Sequence, residues 1–236
     1  MDKPVLGIIG GVGPLATAIF MQLVIEKTGA EHDQGNMAMI VLNNPQVPDR
    51  TAHILDASAP DPAPELERMA AWLEGSGADF LALPCNTAHY YYDAINDAVS
   101  VPVINIMRET AAHIAGALGR GGRVGILATE GTISSGVFQS YLEEAGLEAV
   151  VPGPQDQAEI MHIIYGCVKA GKPYDERAFL ACGQRLIDEG CSAVIVGCTE
   201  LSVIYKALAD KPAWLYDSLD ILAERCVEHW RRERSA

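Results

Sequence analysis

Apolar residues gather in eight short runs: Val5–Ile9, Ala38–Leu42, Asp79–Leu83, Val101–Ile106, Arg123–Leu127, Glu148–Val151, Ala193–Val196 and Ala213–Leu215. The runs are continuous rather than alternating, the pattern of strands covered on both faces. Stretches with helical spacing lie between them, among them Pro64–Glu74, Ser134–Glu144, Glu159–Val168, Glu176–Glu189 and Ser218–Arg234. This β-α-β-α order predicts an α/β fold with parallel sheets. Ser58–Pro64 (SAPDPAP) holds three prolines in seven residues and reads as a loop entering a helix.

The pattern also repeats once. VLGIIGGVGP at 5–14 parallels RVGILATEGT at 123–132, each a strand running into a Gly/Thr turn. ADFLALPCNT at 78–87 parallels CSAVIVGCTE at 191–200, each a strand ending at a cysteine, and VPVINI at 101–106 parallels KPAWLY at 211–216. Gly7 to Cys85 is 78 residues and Gly125 to Cys198 is 73. Two similar Rossmann-like lobes related by a pseudo-twofold axis, with a cleft between them, account for this spacing.

Composition narrows the function classes. The chain has 236 residues, 49% apolar and 20% charged, enough to bury a proper core. Its net charge of −14, without Lys/Arg runs, disfavours nucleic-acid and membrane-surface partners. The basic cluster Arg231, Arg232 and Arg234 reads as a solvated helix tip. No apolar run approaches the roughly 20 residues that span a bilayer. The first strand begins at Val5, leaving no room for a leader, so a cytoplasmic protein is expected.

The chemistry centres on two of six cysteines. Cys167, Cys182, Cys191 and Cys226 read as small buried hydrophobes, with no C-x-x-C pair and no zinc spacing. Cys85 and Cys198 instead follow strands directly, where open parallel sheets bind ligands. Each precedes residues able to open a helix, Asn86-Thr87 and Thr199-Glu200. A helix N-terminus lowers a thiol pKa from about 8.5 and offers N–H groups to a carboxylate. Two thiols facing across a cleft suit a two-base proton swap at one carbon, with no cofactor required.

Other residues bear on the same ligand. Arg50, in the stiff loop Asn43–Thr51, can grip a carboxylate; otherwise it is a surface arginine paired with Asp49 or Asp56. Lys169 lies near a helix end, where the dipole alone accounts for a lysine. Gly11-Val12-Gly13-Pro14-Leu15-Ala16 satisfies a relaxed dinucleotide pattern, but the second strand ends in Asn43-Asn44 with no acid for a ribose. A turn wrapping a small acid against the backbone of Gly11 and Val12 fits better. His89, four residues after Cys85, reads as packing or capping, and the remaining histidines form no metal-ligand spacing.

GGVGPLAT at 10–17, NNPQVPDRT at 43–51, PCNTAH at 84–89, ATEGT at 128–132, VKAG at 168–171 and GCTEL at 197–201 resemble the aspartate/glutamate racemase superfamily, from about residue 5 to 220. The PDRT loop with the VKAG lysine is similar to its aspartate racemase branch. The resemblance implies a racemase independent of pyridoxal phosphate and metal, commonly a homodimer, whose last helix returns to the first lobe. The lobes are then 1–103 plus 213–236, and 104–212. It implies Cys85 and Cys198 as the acid/base pair. Asn86, Thr87, Thr129 and Thr199 would hold the α-carboxylate, and Arg50 and Lys169 the side-chain carboxylate. Val12 stands where many members carry Met.

The leading expectation is therefore interconversion of L- and D-aspartate. Glutamate or a broader set of amino acids is the alternative within the same chemistry. An isomerase of a small dicarboxylic acid, or a cytosolic binding protein without turnover, uses the same scaffold differently.

Overall fold

A computed structural model describes residues 4–234. Residues 1–3, ahead of the first strand, and residues 235–236, at the end of the expected first lobe, lie outside the described range.

The first half of the chain runs β1 (Val5–Gly10), α1 (Pro14–Thr28), β2 (Ala38–Asn43), α2 (Arg50–Leu55), α3 (Ala63–Gly75), β3 (Phe80–Ala82), α4 (Tyr92–Asp97), β4 (Val103–Ile104) and α5 (Ile106–Leu118). The second half runs β5 (Arg123–Leu127), α6 (Glu130–Ser135), α7 (Val137–Glu144), β6 (Glu148–Val150), α8 (Pro154–Met161), α9 (Glu176–Asp188), β7 (Ala193–Val196), α10 (Thr199–Ala207), β8 (Leu215–Asp217) and α11 (Ser218–Glu233).

The strands form two four-stranded parallel sheets, ordered β2-β1-β3-β4 and β6-β5-β7-β8. Numbered within each half, both orders are 2-1-3-4, so the repeat in the sequence is a repeat of topology. Strands β1, β3, β5 and β7 are buried almost throughout, as their continuous apolar runs require. No helix among the described residues is long and apolar enough to cross a membrane.

Several boundaries differ from the expected ones because capping residues overrule the apolar pattern. The run Val101–Ile106 is strand only at Val103–Ile104, since the Asn105 side chain accepts from the Met107 and Arg108 amides and starts α5. The expected helix Ser134–Glu144 is two helices, divided by Gly136 at φ 69°. The expected helix Glu159–Val168 starts earlier, as α8, and finishes as a π-turn over His162–Val168. In that turn the Lys169 amide bonds the Ile164 carbonyl, five residues back, which turns Lys169 relative to an α-helical course.

The last boundary concerns the lobes. Strand β8 pairs with β7, so the chain leaves the second sheet after Asp217 rather than at residue 213. Helix α11 then packs against α1 and α5. One apolar cluster joins residues of both halves there, including Phe20, Ile106, Ile126, Phe138, Leu222 and Trp230. Separate clusters fill the remaining side of each sheet. Ion pairs Lys27–Asp220 (2.9 Å) and Lys206–Glu26 (3.1 Å) tie α1 to α11 and α10 at the surface.

Candidate active site

Parallel strands end together, so the two sheets present their carboxyl ends as two walls. Cys85 stands three residues beyond β3, ahead of a five-residue 3₁₀ turn, Thr87–Tyr91. Cys198 stands two residues beyond β7 as the N-cap of α10. Both are buried, with 6% and 3% of their surface exposed. They line one narrow cleft, with Arg50, Asn86, Thr87, Thr129, Lys169 and Thr199. Asp49, Thr51, Tyr165 and Glu200 complete its wall.

The cleft is crossed by hydrogen bonds between the lobes. The hydroxyls of Thr87, Thr129 and Thr132 form a triangle with sides of 2.9, 2.9 and 3.1 Å. The Tyr165 hydroxyl donates to Asp49 at 3.2 Å. Helix α2 also packs on α6, where a Cβ on Gly131 would lie 2.9 Å from Thr51.

Some of the cleft's polar groups have no partner within the protein. Buried polar atoms are normally hydrogen-bonded, and each exception calls for a reason. Among the described residues seven buried side-chain polar atoms lack a partner, and three of them belong to residues lining this cleft: Arg50 Nε, Asn86 Oδ1 and Thr199 Oγ1. Arg50 is not a surface arginine paired with Asp56. It is 8% exposed and donates to the carbonyls of Pro48 (2.9 Å) and Val47 (3.4 Å). Burial works against its charge, but Cys85, Asp49 and Glu200 more than offset this, holding it protonated above the ordinary arginine value. Lys169 is more than a helix-end lysine. Its Nζ lies 3.0 Å from Glu200 Oε1 and 5.1 Å from the centre of the Tyr165 ring. Burial disfavours its charge too, and Glu200 and the two thiols reverse that, so its pKa is raised.

The expected lowering of the thiols by helix ends fails at Cys198. Its thiol donates to Glu200 Oε2 at 3.0 Å. Burial pushes it well above the ordinary cysteine value, and the Glu200 carboxylate adds to the shift, with Lys169 only partly opposing. Proximity to a carboxylate in a dry site outweighs the helix dipole.

The glycine turn does not work as expected either. The Gly11 amide donates to Thr17 Oγ1 at 3.0 Å, so it is not free for a ligand. Val12 is 1% exposed in the apolar cluster that includes Cys85 and lines no part of the cleft. The turn's contact with the site is Gly13, where a Cβ would lie 2.7 Å from Glu200 Oε1. Gly11 and Gly13 line a wider groove with Pro14, Leu15, Val47 and Val168, which meets the cleft at Asp49, Arg50, Lys169 and Glu200.

His89 packs, as expected. The Ile106 amide donates to its Nε2 (3.2 Å), so Nδ1 carries the hydrogen and donates to the Cys85 carbonyl (2.8 Å). Burial lowers its pKa to about 4, so it is a neutral brace behind Cys85. Asp49, Tyr165 and Glu200 are further site residues, beyond those expected from the sequence. The PDRT and GCTE motifs contain the first and last; nothing local marks Tyr165.

A family model for Asp/Glu/hydantoin racemases matches residues 9–226. The chain belongs to the Asp/Glu/hydantoin racemase family. It is thus an isomerase of the racemase type. A broad-specificity amino-acid racemase, RacX, from Bacillus subtilis (strain 168) is 30% identical over 207 residues, 84% of this chain and 86% of that one. The Picrophilus torridus aspartate racemase superposes with a TM-score of 0.80 at 27% identity, over 97% of this chain and 94% of that one. An aspartate racemase homologue from Pyrococcus horikoshii OT3 gives 0.77 at 27% identity, over 98% and 100%. This racemase-family chain therefore shares its two-sheet architecture with solved members across nearly its whole length.

Proposed function

We propose that this protein interconverts L- and D-aspartate by moving protons at Cα between Cys85 and Cys198. The observation that carries the reading is the convergence of both thiols, from equivalent points of the two sheets, on one cleft with three unpartnered polar atoms. Asn86, Thr87, Thr129 and Thr199 supply donors for the α-carboxylate. Arg50 and Lys169 supply the positive charge that a second carboxylate needs.

In the reaction one cysteine, as thiolate, takes the Cα proton. The carbanion spreads its charge into the α-carboxylate, where the surrounding hydrogen-bond donors stabilise it. The opposite cysteine, as thiol, returns a proton on the other face. The carbon is inverted, and the thiol and thiolate have exchanged places. The free enzyme then resets by proton exchange with water.

A wider substrate range is the second reading. The groove beside Arg50 and Lys169 is walled by Pro14, Leu15, Val47 and Val168, which leaves room for side chains that aspartate lacks. The relationship to RacX supports it.

The test is incubation of the reduced protein with L-aspartate in D₂O, following Cα deuteration by NMR and D-aspartate by chiral chromatography. L-Glutamate and L-alanine run alongside. Deuterium with D-aspartate, and little with the others, is the expected result. Comparable turnover of all three moves the assignment to the wider range. No exchange on any of them removes amino-acid racemisation.

A further inference from the structure

The repeat makes the two halves alike in backbone, yet the surroundings of the two thiols differ. On the second wall, Cys198 Sγ, Glu200 and Lys169 form a chain with links of 3.0 Å and 3.0 Å. Glu200 is 7% exposed, and the missing side chain at Gly13 makes the space its Oε1 occupies. Among the described residues no carboxylate accepts from Cys85 as Glu200 does from Cys198; Asp49, on the first wall, accepts from Tyr165 instead. There the charged neighbour of Cys85 is the Arg50 guanidinium.

We propose that Glu200 is a positioning residue that keeps the proton on Cys198, so that the free protein rests with Cys85 as its base. This rests on the two-thiol reading above and adds an asymmetry to it. A carboxylate accepts a hydrogen bond from S–H and repels S⁻. The Lys169 ammonium, 3.0 Å from Glu200 Oε1, holds that side chain in place, so the acceptor is ready before substrate arrives. The groups facing this pair are Lys169 and Tyr165 from the π-turn segment, Asp49 and Arg50 from the start of α2, and Cys85 across the cleft. The Tyr165 hydroxyl donates its hydrogen bond to Asp49, and Glu200 is the carboxylate bonded to Cys198.

The two directions of turnover then differ. When the Cα–H bond of the substrate faces Cys85, that thiolate takes the proton and Cys198 gives its own. This leaves a Cys198 thiolate beside the Glu200 carboxylate, two anions sharing Lys169. That form regains a proton at Cys198 from water and loses one at Cys85, returning to rest. The enantiomer whose Cα–H faces Cys198 must instead bind this less favoured form. The equilibrium constant between enantiomers is one, so their kcat/KM values stay equal in any variant. The asymmetry shows only in how kcat and KM divide.

The experiment maps iodoacetamide alkylation of each cysteine by mass spectrometry as a function of pH, in substrate-free protein. Accessibility sets the plateau rate at each thiol, whereas the midpoint reads its thiolate fraction. In the native protein the Cys198 midpoint is expected above that of Cys85, with Cys198 at least about tenfold further below its plateau at pH 8. Glu200→Gln keeps the shape and removes the charge, and should bring the two midpoints together. Glu200→Asp should restore part of the gap. Gly13→Ala, which crowds the Glu200 carboxylate without deleting it, should narrow the gap as well. In turnover, Glu200→Gln should bring the kcat and KM of the two enantiomers closer. A native Cys198 midpoint at or below that of Cys85 overturns the proposal with no variant needed, and so does an unchanged gap in Glu200→Gln. Alkylation needs no turnover, so failure of this proposal is separable from failure of the racemase assignment, which the D₂O experiment reads.

Discussion

The Thr87 hydroxyl lies 2.9 Å from the Thr129 hydroxyl, and the two residues come from different lobes. The bond closes the cleft with side chains to which the proposed function assigns the α-carboxylate. Replacing Thr87 by Val keeps the volume and removes the hydroxyl. The net worth of one hydrogen bond is about 1 kcal/mol, so stability should fall by about that much. KM for aspartate should rise about tenfold, since a charge-assisted contact to a carboxylate is worth more than a neutral bond. Thermal unfolding and initial rates check the pair of effects; unchanged KM would remove Thr87 from the carboxylate site.

In the proposed mechanism each cysteine serves one face of the substrate. Cys85→Ser and Cys198→Ser should each lower racemisation by roughly a thousandfold or more, since a hydroxyl is a far weaker base than a thiolate. Each variant should still wash deuterium into the enantiomer that faces the surviving thiol, without inversion. Chiral separation of the deuterated product measures this. Full racemisation by either variant would discard the two-thiol mechanism.

Arg50 is buried and its Nε is unpartnered, so the guanidinium has capacity left for a ligand. Arg50→Ala should reduce kcat/KM for aspartate by about a hundredfold, in line with about 3 kcal/mol for a lost buried charge-assisted contact. Arg50→Lys should recover little, because an ammonium cannot reproduce the planar fork. Alanine turnover should change much less than aspartate turnover. Equal losses on both amino acids would show that Arg50 holds the fold of its loop rather than the distal carboxylate.

Two buried groups make stability depend on pH with opposite signs. Asp217 caps α11, accepts from Ser202 at 2.5 Å, and is pushed by burial from 3.8 to about 7. A raised folded value means stability that is present below 3.8 and lost as pH climbs through about 7. His89 is depressed from 6.5 to about 4, so its contribution is present above 6.5 and lost as pH falls through about 4. Between those limits the slopes oppose each other, each at most about 1.4 kcal/mol per pH unit. Asp217→Asn should leave stability that falls on acidification. His89→Gln should leave stability that rises. Urea unfolding at several pH values from 4.5 to 7.5 reads both slopes, and the same sign in the two variants would contradict this account.

The sheets and the cysteine pair were legible because each depends on local sequence. Continuous apolar runs name strands such as Val5–Gly10 and Ala193–Val196, and the repeat places Cys85 and Cys198 at equivalent strand ends. What was not legible depends on contacts between distant segments. The acid chain from Cys198 through Glu200 to Lys169 joins residues 31 positions apart, and its direction of effect on the thiol opposes the local helix-end argument. Tyr165 meets Asp49 only because the lobes close on each other. The Gly11 turn satisfied a binding pattern, yet the Gly11 amide is spent on Thr17.

The return of α11 to α1 and α5 works like the spine of a book. The apolar cluster that fuses the halves lies along it, and the contact of α2 with α6 is the fore-edge. Parting the lobes while keeping that cluster packed means lifting Thr51 from Gly131, swinging the two covers about the bound side. The seam that must part carries hydroxyls and small residues, whereas the bound side carries Phe20, Phe138 and Trp230. The edge held by hydroxyls rather than by apolar packing is thus the one that borders the two thiols.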